Sequence, residues 1–447
     1  MSGIAQILLQ SGIKVSGSDL KENIITAELK RCGAQIFIGH DSENINGADL
    51  VIYSSAIKED NPEMTGARNK GIPIIKRAQA LAELMKEKVV ITVTGSHGKT
   101  TTTSLTSFLL LEAGLNPSVA IGGILRNINT NAYFGNGKFF VAEADESDGS
   151  FLYYQPKYSI ITNIDREHLD YYKDFDKEVD AFREFLGRTQ ENGCVFGCND
   201  DPVIKKLLQG YKNRYVLFGL EKSAQIYPGN IKLNNLTSEF DCFKSGKSLG
   251  RFHLALGGLH NISNALSVIA LGLELGVGLE VIKSTLANYK GAKRRLETKF
   301  DARGILVVDD YAHHPTEIRA TLAAAKNLKK ERIIAVFQPH RYSRTKLLLD
   351  EFGASFDSAD YVIITDIYPA SEPPIEGLSG RSVHDKIKEY ASGKTVKFLP
   401  KAEIIEHVLK IIKPNDLVIT LGAGDIVRVS DELAERLQNQ PFDSPRS

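Results

Sequence analysis

The sequence predicts an α/β protein of largely parallel sheets arranged in three consecutive units, and three observations carry that prediction. Strand-like apolar runs alternate with helix-like stretches through most of the 447 residues, an order that suits strand–helix–strand crossovers better than hairpins. The stretch VTGSHGKTTTTS, residues 93 to 104, lies between a buried-strand run and a helical run, the place where a phosphate-binding loop belongs. From about residue 298 the alternation resets with a new strand pattern, GILVVDDY.

The first unit, residues 1–88, contains the short strand patterns IKVSGSD, AQIFIG, DLVIYSSAI and IPIIKR with helical stretches between them, as a nucleotide-binding α/β unit would. The segment ALAELMKEK then leads into VVITVT. The second unit, 89–297, continues with strands near KFFVAEA, YSIITNI and NGCVFG, a polar β-rich excursion at 223–255, and the helical HNISNALSVIALGLEL. The third, 298–447, runs through GILVVDDY, RIIAVFQP, DYVIITDI, TVKFLP and DLVITLGAGD to a polar tail after Gln438.

Composition narrows the function classes. Lys plus Arg and Asp plus Glu both number 55, so no charge excess points to nucleic acid or to an anionic membrane, and an anionic ligand must be held locally. Cys32, Cys194, Cys198 and Cys242 are too sparse for a disulfide framework and show no C-x-x-C spacing, which fits a reducing cytoplasm. The apolar stretch ALSVIALGLELGVGLEVI carries Glu274 and Glu280 and reads as core helices, not a membrane span. The N-terminus has no signal-peptide pattern.

The loop reads G-x-x-G-K-T. A standard phosphate loop would need glycine at position 93, which is Val93. With a helix from Lys99 to Glu112 closed by Gly114, the amides of Gly95 to Lys99 and the helix dipole can wrap a triphosphate, Lys99 adds a point charge, and Thr100 offers a hydroxyl to Mg²⁺. The bland alternative is a glycine turn before a threonine-rich helix. VAEADESDGSF places Glu143, Asp145, Glu146 and Asp148 at a strand end, where one carboxylate suits nucleotide-bound Mg²⁺ and solvated loop acids are the alternative. ITNIDREHLDYY repeats the arrangement with Asp165, Glu167, His168 and Asp170.

Together these motifs resemble the ATP-dependent Mur ligases of peptidoglycan synthesis. GSHGKTTT is similar to their short phosphate loop, G-[ST]-[HNS]-G-K-[ST]-[TS], in which the spacing that fails the standard pattern is normal. EADESD and DREHLDYY resemble their acid and histidine regions, HNISNAL their H-N-x-x-N nucleotide segment, and GAKRRLE the arginine turn before the last domain. VSGSDL, VIYSSAI, VAEADESD, DDYAHHPTE and FQPHRYSRT are most similar to the member acting on UDP-N-acetylmuramate and L-alanine. The resemblance implies a three-domain architecture: a Rossmann-like UDP-binding domain lacking its first strand, a central ATPase domain, and a Rossmann-like C-terminal domain that binds the amino acid. It implies ATP and Mg²⁺ as cofactors, small-molecule substrates with no nucleic acid or membrane partner, and a cytoplasmic monomer or homodimer.

The same resemblance assigns residues. Gly95, Ser96, His97, Gly98, Lys99, Thr100 and Thr101 would hold the ATP phosphates. Thr100, Glu143 and His168 would hold Mg²⁺. His260, Asn261 and Asn264 would bind the nucleotide, against the alternative of helix capping or a buried polar network, and Arg295 would reach its phosphates. Tyr311, His313, His340 and Arg344 would line the amino-acid site, with Arg344 matching the alanine carboxylate bidentately. Lys99, His168, Arg295, His313 and Arg344 form the implied catalytic set. Asp19 would contact uridine, and Ser54 and Ser55 the substrate pyrophosphate. Replacing Lys99 by Ala is then expected to abolish turnover and leave the fold intact.

Three departures accompany the resemblance. Family members begin with a strand and glycine loop, roughly hFIGIGGIGMSG, whereas this sequence begins MSGIAQILL; a start assigned at an internal methionine is the expectation. Later ligases of the family carry a carbamylated lysine in the helix that here reads KEVDAFREFL, with no lysine near Phe182. Ser371 stands where glycine is expected. The competing readings are a ligase that attaches a recycled tripeptide to the same sugar acid, folylpolyglutamate synthetase, and a nucleotide-binding protein that does not turn over.

Overall fold

The structure, a computed structural model, describes residues 1–54, 56–390 and 393–439. The chain divides into two compact units, one of residues 1–229, 241–252 and 263–290 and the other of residues 230–240, 253–262 and 291–447.

At the start of the first unit, helix Ser2–Gln10 buries Ile4 and Ile7, three residues apart and so on one face. Strand Ser16–Asp19 pairs in parallel with Gln35–Ile38, and Val51–Tyr53 pairs in parallel with Ile74–Lys76, as two separate sheets. The helices between them start where the sequence supplies caps. The Asn23 side chain accepts hydrogen bonds from the amides of Ile25 and Thr26 to open Ile24–Arg31, and Asn61 followed by Pro62 opens Pro62–Asn69.

The main sheet of ten strands is organised around Val89–Thr94, which lies between Tyr158–Ile161 on one side and Phe139–Glu143 on the other, all parallel. Five of the six residues of Val89–Thr94 are buried, the condition of a parallel strand covered on both faces, and this is why VVITVT reads as a continuous apolar run. Beyond Tyr158–Ile161 come Cys194–Cys198 and Tyr215–Phe218; beyond Phe139–Glu143 come Ser118–Leu125 and the antiparallel Thr130–Tyr133. The polar excursion supplies the remaining strands, Ile226–Asn234, Thr237–Lys244 and Lys247–Leu254. Three neighbouring parallel strands thus end side by side at Thr94, Glu143 and Ile161, and ligands of open α/β sheets bind outside such carboxyl ends.

The second unit holds a six-stranded sheet in the order Glu297–Ala302, Ile305–Asp310, Asp416–Leu421, Arg332–Phe337, Tyr361–Ile364, Thr395–Phe398, parallel except for the first pair. Period-2 alternation sorts its side chains to two faces. Leu306 and Val308 join a core with Ile318, Leu322 and Phe352, while Ile305 and Val307 join one with Ile404, Val429 and Leu433. Its carboxyl edge carries the segments that follow Asp310, Phe337 and Leu421.

Candidate active site

The phosphate loop joins strand Val89–Thr94 to helix Lys99–Glu112, and both its glycines are dictated by space. Gly95 has φ 124° and a Cβ there would lie 2.3 Å from Thr162 Oγ1; Gly98 has φ 83° and its Cβ would meet Asn264 Oδ1 at 2.6 Å. Only glycine adopts such backbone angles with neighbours this close. Asn264 therefore packs directly on the turn into the helix. The loop is braced by Asn163, whose carbonyl accepts from the Ser96 amide and whose side chain accepts from the His97 amide, so these two amides already have acceptors. Thr102 is the first amide to bond back within the turn, to Gly98 O. The amides of Lys99, Thr100 and Thr101 open the helix without an intrahelical acceptor, which is the geometry an anionic phosphate fits.

Lys99 Nζ donates to Glu146 Oε1 at 2.6 Å, to Gly95 O at 2.7 Å and to Ser96 O at 3.2 Å. Burial works against the ammonium charge, yet Glu146, Asp145 and Glu167 hold the Lys99 pKa above its ordinary value. Glu146 is fully buried. Burial raises its pKa, but Lys99 and His168 more than offset that and hold it at about 2. The sequence motif contains four acids, and Glu146 is the one that the fold pairs with the loop lysine.

Glu143 lies at the end of the neighbouring strand, accepting from Thr100 Oγ1 at 2.9 Å and from the Gly122 amide at 2.7 Å. Burial pushes its pKa up. A carboxylate against a helix-start hydroxyl is a hard oxygen donor set of the kind Mg²⁺ takes beside a phosphate, so these residues fit that ion. His168 has φ 57°, an uncommon left-handed conformation that functional sites retain more often than others, and its Nε2 lies 3.4 Å from Glu146 Oε1 and 3.5 Å from Glu167 Oε2. The structure thus brings Lys99, Thr100, Glu143 and His168 to the shared carboxyl end of three adjacent strands.

In the second unit, Tyr311 and His313 follow the strand Ile305–Asp310 and His340 follows Arg332–Phe337. His313 Nδ1 lies 2.9 Å from Tyr311 O and 3.2 Å from Glu317 Oε2. The rings of His313 and His340 are 5.7 Å apart, and His340 stacks on Tyr368 at 5.5 Å. Arg344, in helix Tyr342–Leu347, lies four residues beyond His340, with Nη1 3.4 Å from its Nδ1. Arg341, which the sequence reading passed over, stands in the same segment with φ 68°; the basic strand end HRYSR was the available signal. Arg295 sits 3.6 Å from Glu317 and 5.3 Å from the Tyr311 ring centre. His260 and Asn261 also belong to this unit, whereas Asn264 belongs to the first; the Asn261 amide group donates to Gly257 O at 2.8 Å. Asp19 is exposed at its strand end and accepts from the Lys21 amide, and Ser54 accepts from the Ala56 amide. Ser55 lies outside the described residues.

Burial, reinforced by Arg344, Arg341 and Arg294, lowers the pKa of His340 to about 4, and burial with Arg295 does the same for His260. Both folded values lie below the unfolded value of about 6.5, so between them the unfolded chain binds more protons. The stability these two neutral rings contribute is therefore full above about pH 6.5 and is lost as pH drops toward 4. From pH 7 to pH 5 the melting temperature of the native protein should fall relative to that of His340→Asn; parallel profiles would mean that His340 is not held neutral.

Comparison with known proteins gives the arrangement a family. The Mur ligase family catalytic domain matches residues 1–89, the Mur ligase middle domain residues 93–272, and the Mur ligase glutamate ligase domain residues 294–424. A UDP-N-acetylmuramate--L-alanine ligase of Desulfatibacillum aliphaticivorans is 47% identical over 98% of this chain and 96% of its own length. The chain belongs to the Mur ligase family. A second such Mur ligase, from Geotalea uraniireducens, is 45% identical with the same coverage. Among solved structures, the UDP-N-acetylmuramate-alanine ligase of Thermotoga maritima superposes with TM-score 0.84 at 32% identity, over 98% of this chain and 96% of that one. A murein peptide ligase from Psychrobacter arcticus, 24% identical with TM-score 0.72 over 99% of this chain and 97% of that one, shares the Mur ligase fold.

Proposed function

We propose that the protein is an ATP-dependent ligase that joins L-alanine to the lactyl carboxylate of UDP-N-acetylmuramate in peptidoglycan precursor synthesis. The observation that carries this reading is the 47% identity, across 98% of the chain, to a ligase named for that reaction. The geometry supports it, because phosphoryl transfer is mostly positioning and charge stabilisation, and the Lys99 ammonium and the Glu143 carboxylate lie at the carboxyl ends of neighbouring strands.

A carboxylate is a poor electrophile, so the γ-phosphoryl group of ATP is transferred to it first; the resulting acyl phosphate carries a leaving group that the alanine nitrogen displaces. Lys99 leaves Glu146 and the loop carbonyls to meet the charge that spreads over the transferring group. Helix-start amides at Lys99, Thr100 and Thr101 hold the phosphates. Thr100, Glu143 and His168 would hold Mg²⁺, which would supply charge neutralisation at the phosphates. Arg295 adds positive charge toward the phosphates, and Asn261 and Asn264 read the nucleotide. Arg344 orients the alanine carboxylate while His313 and His340, kept neutral by burial, shape the space around its amino group. Residues 1–88 bind the UDP-sugar, 89–297 the ATP, and 298–447 the amino acid. Sugar-nucleotide and ATP substrates support a cytoplasmic enzyme. Among the described residues no helix is long and apolar enough to cross a membrane.

Phosphate release should require MgATP, UDP-N-acetylmuramate and L-alanine together, and each omission should reduce it to background. Release that is indifferent to alanine but follows addition of the tripeptide would replace this reading with the recycling one.

A further inference from the structure

Helix Tyr342–Leu347, which carries Arg344, is six residues long and begins at Arg341 with no cap from that residue's side chain. A helix this short does not hold itself, and an arginine side chain has donors only, so it can offer nothing to the amides of a helix start. The acceptor comes from elsewhere in the chain. Glu372 accepts from the Ser343 amide at 3.0 Å through Oε2 and from the Ser343 hydroxyl at 2.7 Å through Oε1. Its carboxylate thus meets the positive end of a helix 29 residues away in sequence.

The backbone joins the same two segments. The Tyr368 amide donates to Pro339 O and the Arg341 amide to Tyr368 O, each at 2.8 Å. His340 and Tyr368 pair as a single parallel bridge, and their rings stack with planes 8° from parallel. Between Tyr368 and Glu372 the chain turns through Ala370 at φ 46° and Ser371 at φ 71°, left-handed angles that a residue with a Cβ adopts at a cost. The Glu372 amide closes this turn onto Pro369 O at 2.9 Å. Arg341, in the paired segment, has φ 68°. Strained residues of this kind persist only where the surroundings fix them, and they cluster at sites that hold a ligand. Here the strained turn delivers a carboxylate to the helix of Arg344, whose Nη1 is 3.4 Å from His340 Nδ1.

We propose that Glu372 is a positioning residue for the amino-acid site, fixing the first turn of helix Tyr342–Leu347 and so aiming Arg344 at the carboxylate of the incoming amino acid. The identity of that substrate rests on the ligase reading. Ser371, which stands where glycine is expected, takes its left-handed angle in bringing Glu372 to Ser343.

The test compares native protein, Glu372→Ala and Glu372→Gln in two measurements. The first is hydrogen–deuterium exchange of the substrate-free proteins over residues 340–348, which does not depend on what the protein catalyses. The second is the KM for L-alanine against those for ATP and UDP-N-acetylmuramate, from phosphate release. Glu372→Ala is expected to exchange faster in that segment and to raise the alanine KM about ten- to hundredfold, the effect of a displaced binding group, with the other two KM values unchanged. Glu372→Gln keeps one acceptor oxygen for Ser343 and should fall between native and Ala in both measurements; it also carries the test should the Ala variant fold poorly. An alanine KM that stays native despite faster exchange, or three KM values that rise together, would overturn the proposal and leave Glu372 a structural acid. Unchanged exchange would overturn it as well. The ligase reading fails separately, by absent phosphate release from native protein with all three substrates, while exchange still reports whether Glu372 holds the helix.

Discussion

Replacing Lys99 by Ala is expected to slow phosphate release at least about a thousandfold, the scale on which a single charge aimed at a transferring phosphoryl group acts. The same substitution is also expected to weaken the fold. Glu146 is fully buried and takes its charge compensation chiefly from Lys99; removing one partner of such a pair leaves a stranded carboxylate at a cost of about 3–5 kcal/mol. The motif alone led to the opposite expectation, an intact fold, because a phosphate-loop lysine reads as a surface group awaiting ligand. Two measurements separate the effects. Lys99→Met combined with Glu146→Gln should recover much of the melting temperature and none of the activity. The native advantage over Lys99→Ala should be full above about pH 4.5 and close as pH falls toward the Glu146 value of about 2, since a depressed carboxylate pKa stabilises above its unfolded value and loses that contribution below it. A Lys99→Ala protein that melts like the native one would show that the Lys99–Glu146 pair contributes nothing to stability.

Arg344→Ala is expected to lower kcat/KM for L-alanine by roughly 30- to 150-fold, the equivalent of about 2–3 kcal/mol for charge-assisted hydrogen bonds to a carboxylate. The KM for ATP should change little. Arg344→Lys should recover only part of the loss, because an ammonium cannot reproduce the planar two-point contact. The structure supports a ligand role: the guanidinium lies 3.4 Å from His340 Nδ1, a ring kept neutral by burial and by the arginines around it. An unchanged alanine KM in Arg344→Ala would move the carboxylate contact elsewhere, with Arg341 the next residue to test.

The sequence by itself determined the strand, glycine loop and helix of residues 89–112, the alternating order of strands and helices, and the family. Those features are local: Val89 to Glu112 encodes a buried strand, two glycines with enforced backbone angles and a helix in one contiguous stretch, and hydrophobic periodicity reports each element without knowledge of its neighbours. Tertiary structure decided which acid takes the Lys99 ammonium. EADESD offers four carboxylates within six residues, and no spacing rule distinguishes Glu143, which accepts from Thr100, from Glu146, which takes Lys99; that choice depends on Val89–Thr94 lying between Phe139–Glu143 and Tyr158–Ile161 in the sheet. Asn163 was likewise invisible as the brace of the loop, because its partners Ser96 and His97 are about 66 residues away in the chain. Glu178 was read only as part of a helix without a lysine. Whether an acid on an amphipathic helix faces water or core depends on what packs against that face, and here Glu178 is buried on the same face as Phe182, Phe185 and Leu186.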